Sequence, residues 1–101
     1  MGTADERDFD LLPAQMRDLA PLIERYGESD DVERSELLER ASTDELRALA
    51  AAAEPHWDEI NSFLGENMGE VGAKQDLAIA VDAFAQAAME ARIELEQRDA
   101  R

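Results

Sequence analysis

The sequence predicts an all-α fold, a small antiparallel helical bundle of four to five helices with a long C-terminal helix. Three observations carry that expectation. Ala, Leu, Glu and Arg, all good helix formers, dominate the composition. Apolar residues recur at spacings of three and four, which places them on one side of a helix. No run alternates with the period of two that a half-buried strand needs. The chain has 101 residues, and single domains commonly run to about 100–150. Residues 1–8 are polar and read as a flexible N-terminal tail, and residues 9–101 as a single helical domain.

Phe9, Leu11 and Leu12 lead into the first helix, and Pro13 suits its first position because the missing N–H would be unpaired there. Leu12, Met16, Leu19, Ile23 and Tyr26 form its stripe. Pro21 removes one backbone donor and crowds the preceding turn, so a kink or break is expected near residues 17–20. Gly27 is placed to cap the C-terminus.

The second helix is expected after Ser29 or Asp30, because Asp30 and Glu33 have the spacing of a capping box. Val32, Leu37, Leu38 and Ala41 supply its apolar side, with Asp30–Arg34 and Glu36–Arg40 as pairs one turn apart. Ser42-Thr43-Asp44-Glu45 is the clearest start signal in the chain. From it a stripe of Leu46, Leu49, Ala50, Ala53, Trp57, Ile60 and Leu64 crosses Pro55. The pattern fits one long helix kinked at Pro55, or two helices with the proline opening the second. Three glycines between Gly65 and Gly72 mark a turn.

The last helix is expected from about residue 73 to 98. Leu77, Val81, Phe84, Ala88, Ala91 and Leu95 alternate spacings of four and three, a heptad-like seam. Ile79 and Met89 lie off that seam and need cover of their own. Such a helix spans about 39 Å. A compact domain of this size is roughly 34 Å across, so the helix runs the length of the bundle or overhangs it.

Composition narrows the chemistry. Asp and Glu number 25 against 10 Lys and Arg, a formal net charge of −15. Residues 1–70 carry −13 of it and residues 71–101 only −2. A surface this negative repels phosphate, which disfavours direct binding of nucleic acid or an anionic membrane. The absence of cysteine excludes disulfides, thiol catalysis and thiolate metal sites. No stretch has the apolar run of a signal peptide or a membrane span, so a cytoplasmic protein is expected.

No catalytic, cofactor or metal set emerges, and the chain is not expected to be an enzyme. His56, the only histidine, adjoins Asp58 and lies one turn from Glu59. It lacks a nucleophile or further ligands at useful spacing. Gly69 to Lys74 looks faintly like a phosphate loop, but its glycine, lysine and hydroxyl do not align. Trp57 is of more interest, as an aromatic on the apolar stripe beside acidic residues. The candidate partner-binding residues are therefore Glu54, His56, Trp57, Asp58 and Glu59. The function expected is protein–protein binding, of the inhibitor, immunity-protein or nucleic-acid-mimic kind, toward a basic partner. The alternative is a self-associating structural protein, a homodimer joined through Phe84, Ala88, Ala91 and Leu95 of the long C-terminal helix.

Overall fold

The computed structural model describes residues 9–27, 29–69 and 72–100, so the expected tail, residues 1–8, lies outside it. Among the described residues the chain is all-α, with five α-helices and three short 3₁₀ segments.

Pro21 and Pro55 both fall in or beside a 3₁₀ segment that adjoins an α-helix. A 3₁₀ segment at Ala14–Leu19 leads into α1 (Ala20–Gly27), which puts Pro21 in the first turn of a helix, where an absent N–H leaves no gap. The expected break near residues 17–20 is therefore present as a change of helical type. α2 (Asp31–Arg40) opens on Asp30, whose carboxylate accepts from the Glu33 N–H at 2.8 Å while the Glu33 side chain accepts from the Asp30 N–H at 3.5 Å. α3 (Thr43–Ala53) opens in the same way on Ser42, with the reciprocal bonds at 3.1 and 3.3 Å. Both capping boxes thus form as the sequence predicts.

At Pro55 the long stripe divides. α3 ends at Ala53, a 3₁₀ turn covers Glu54–His56, and α4 (Trp57–Asn67) follows. Glu54 keeps right-handed helical torsions (φ −52°, ψ −51°) despite preceding the proline. The distortion falls on His56 instead (φ −114°, ψ 7°). Gly65 stays inside α4 rather than opening the turn, and the chain leaves the helix at Met68. Gly69 and Gly72 take positive φ, 97° and 125°, which only glycine adopts without strain. Glu70 and Val71, also part of the expected turn, lie outside the described residues.

α5 (Ala73–Ala100) has 28 residues and so is about 42 Å long. The molecule measures 44 Å along its longest axis, so α5 runs its full length. Each of the other four α-helices packs against it. Leu77, Val81, Phe84, Ala88 and Ala91 are buried in one cluster with Ile23, Leu46, Leu49 and Ile60. The heptad-like seam is therefore satisfied within the chain. Phe84, Ala88 and Ala91 have no exposed surface, and Leu95 packs against the same core. A dimer through these four residues would require the bundle to open.

Small residues set how closely α5 is approached. A Cβ added at Gly27 would lie 2.7 Å from the Ala80 Cβ and 3.2 Å from the Ala80 carbonyl oxygen. Gly27 ends α1 without a positive φ. Its role is this near contact with α5, not the left-handed cap expected from the sequence.

α2 also departs from expectation. Its inward line is Arg34, Leu38 and Ala41, and Val32, expected on the apolar side, is 68% exposed. Val32 sits two residues before Arg34, about 200° around the helix from it, so both cannot face the core. Arg34 pairs with Asp31 and not with Asp30, whose carboxylate is committed to the cap.

Candidate functional site

The residues expected to bind a partner lie on the Pro55 corner, in the 3₁₀ turn and the first turn of α4. They do not form one outward patch. Glu54 and Asp58 are exposed, whereas His56, Trp57 and Glu59 are half-buried. Trp57 packs against the core cluster, which leaves part of the indole at the surface. His56 Nδ1 lies 3.2 Å from the Glu59 carboxylate and Nε2 lies 3.8 Å from Asp18. The imidazole therefore bridges the 3₁₀ segment before α1 to the start of α4. The expected neighbour Asp58 points elsewhere and is free to meet solvent.

A shallow acidic groove adjoins this corner. Pro13 and Phe63 supply its apolar lining, and Asp58, Glu59, Ser62 and Glu66 complete it. Its volume is about 220 Å³, below the roughly 300–1,000 Å³ typical of small-molecule sites. Among the described residues, no cluster of His, Cys, Asp and Glu is arranged to hold a metal ion. No helix among them is long and apolar enough to cross a membrane.

Sequence reasoning missed a second polar feature, between α2 and α5. Arg34 is only 5% exposed. Its Nε donates to Glu90 at 2.9 Å, and one terminal nitrogen donates to Asp31 at 2.6 Å and to Gln86 at 3.2 Å. Gln86 is itself held by Asp82 at 2.8 Å. Burial alone would lower the Arg34 pKa, but the hydrogen bonds and charges of Glu90 and Asp31 outweigh it and raise the pKa above its ordinary value. Near the other end of α2, Arg98 donates to Glu94 at 3.0 Å and to the Thr43 hydroxyl at 3.1 Å, and approaches the Glu39 carbonyl at 3.5 Å. These contacts fix α2 alongside α5, with the two helices running in the same direction. The signal in the sequence was the run Asp82, Gln86, Glu90 and Glu94, one turn apart along one face of α5, but nothing local to α2 placed Arg34 opposite it.

Between these two tethers lies a groove of about 190 Å³, lined by Ser35, Leu38 and Glu39 of α2 and by Glu90, Ile93 and Glu94 of α5. It holds three carboxylates and one large exposed aliphatic, Ile93. The described residues thus form two acidic grooves with apolar floors, here and beside the Pro55 corner, and neither is the seam singled out from the sequence. No family of known proteins, no curated protein and no solved structure matches the chain.

Proposed function

We propose that this is a non-enzymatic binding protein of the cytoplasm whose acidic surface docks a basic protein partner, in the manner of an inhibitor or immunity protein. The observation that carries the reading is the Pro55 corner, where exposed Glu54 and Asp58 flank a half-buried tryptophan. Among the described residues neither carboxylate has an ion-pair partner. Such carboxylates raise the rate of encounter with a cation-bearing surface, and the indole supplies an apolar contact. The test is a salt-dependent pull-down with the full chain as bait. A basic protein should be retained at low salt, released as salt rises, and bound less well by a Glu54→Gln/Asp58→Gln variant. Retention that ignores both salt and the variant would overturn the reading.

Self-association through α5 is the second reading, and one observation favours it. Ile79, Met89 and Ile93 lie on the outer side of α5 and are 50–55% exposed. It ranks below the first because two copies would each bring a charge of −15. Sedimentation at tens of micromolar decides it: a monomer removes the idea.

A further inference from the structure

We infer that the groove between α2 and α5 is a docking site for an amphipathic helix of the partner, one with a leucine-like apolar face bordered by Lys or Arg. The inference rests on the basic-partner reading above and adds the surface and the shape of the occupant.

The groove is larger in apolar content than its lining alone suggests. Val32 stands one turn before Ser35 on α2, and Met89 one turn before Ile93 on α5. Side chains one turn apart share a helix face, so Val32 and Met89 extend the groove on the same outer side. Val32 is 68% exposed, and Met89 and Ile93 are each 55% exposed. The fold gives all three of these large side chains little cover, as it does Ile79, whereas it buries Leu38, Leu77 and Val81. α5 carries two of these side chains one turn apart and α2 carries the third, and two helices running side by side with exposed apolar residues near their shared edge form a surface on which a third helix packs.

Charge selects what that third helix carries. Glu39, Glu90 and Glu94 line the groove, and Glu96 and Asp82 stand on the same outer region of α5. Of the arginines of α2 and α5, Arg34 is engaged by Glu90 and Asp31 and Arg98 by Glu94, while Arg40 and Arg92 are exposed; carboxylates still outnumber the cations on both helices. Glu39 and Glu96 have no ion-pair partner among the described residues. A second copy of this chain would set the same acidic rim against itself in any two-fold arrangement, whereas a cationic helix would neutralise the rim and cover the aliphatic floor together. Long Lys and Arg stems also lie well along apolar surface with their charges at the edge.

The experiment uses the full chain and a fluorescent synthetic peptide of about 18 residues with leucines on one helical face and lysines on the other. Two control peptides accompany it, one with the same composition in scattered order and one with glutamate for lysine. Anisotropy should show binding of the lysine amphipath at about 50 mM salt, weakened at about 500 mM. Met89→Ser/Ile93→Ser should weaken it by about tenfold, as loss of a central apolar contact does. Val32→Ser should weaken it in the same direction. All three positions are exposed, so unchanged circular dichroism and melting should accompany these effects. Glu54→Gln/Asp58→Gln should leave the peptide affinity unaltered. If the scattered peptide binds equally well, or the loss follows the Pro55-corner variant instead of Met89 and Ile93, the groove is overturned while the basic-partner reading stands. If neither lysine peptide binds at low salt, both fail. A dimer that Met89→Ser/Ile93→Ser converts to monomer would make a second copy the occupant and overturn the inference.

Discussion

Gly27 shows how one hydrogen atom in place of a methyl group governs helix packing. The Ala80 backbone and side chain leave no space for a Cβ there, and overfilling a close-packed site typically costs about 1–3 kcal/mol. Gly27→Ala should therefore lower the urea midpoint, although alanine is the better helix former. Ala80→Gly in the same chain should restore part of the loss, because the two substitutions act on one contact. A double-mutant cycle in urea reads this, and strict additivity would show that the contact is not the cause. Arg34 makes the opposite demand, since its buried guanidinium requires polar company. Arg34→Ala should destabilise by about 1–3 kcal/mol through lost hydrogen bonds and packing. Arg34→Met should cost less, because it keeps the stem and removes a charge that is expensive to bury. The pKa of Arg34 is raised in the fold. Its stabilising contribution is thus complete below the ordinary arginine value and is lost only as pH climbs through the raised one. The stability difference between the parent and Arg34→Met should therefore be the same at about pH 6 and about pH 9, well below where arginine titrates.

At the level of the helices, the starts are local and the faces are not. Ser42→Ala removes the acceptor for the Glu45 N–H and should cost about 1 kcal/mol. Hydrogen exchange should quicken in the first turn of α3 and stay unchanged in the middle of α5. Both capping boxes were legible in the sequence because every atom they need lies within four residues. The long C-terminal helix was legible for the same kind of reason, its stripe being continuous over many turns. The orientation of α2 was not. Its inward line depends on Arg34 meeting Glu90, 56 residues further along the chain, and spacing within α2 cannot report a partner that distant. Gly27 was misread for the same cause, because the helix that crowds it comes much later in the sequence. The candidate site was legible in part. The acidic residues around Trp57 are where the sequence put them, but the half-burial of His56 between Asp18 and Glu59 depends on the 3₁₀ segment packing there.

For the whole molecule, charge opposes compactness. A net charge of −15 on a particle with a Cα radius of gyration of 13.7 Å is self-repelling. Salt screens that repulsion more than it weakens the few ion pairs, of which the Arg34 pair is the best shielded. The melting temperature should therefore rise between about 20 mM and about 0.3 M NaCl, where the Debye length falls well below the size of the molecule. Circular dichroism melts check this, and a fall would show that attractive pairs outweigh the net repulsion.

The placement of α5 also dictates the order of events as the chain is made. α1 through α4 each have 8 to 11 residues, too short to persist alone in water. Their apolar faces meet on a helix that is synthesised last. Until α5 clears the ribosome, the earlier segments have a stripe each and no common surface to cover it. The bundle thus cannot close before α5 has emerged, and until then the nascent chain is strongly anionic, with −13 over residues 1–70. High charge of one sign then acts before the fold is complete: it keeps unfinished copies apart.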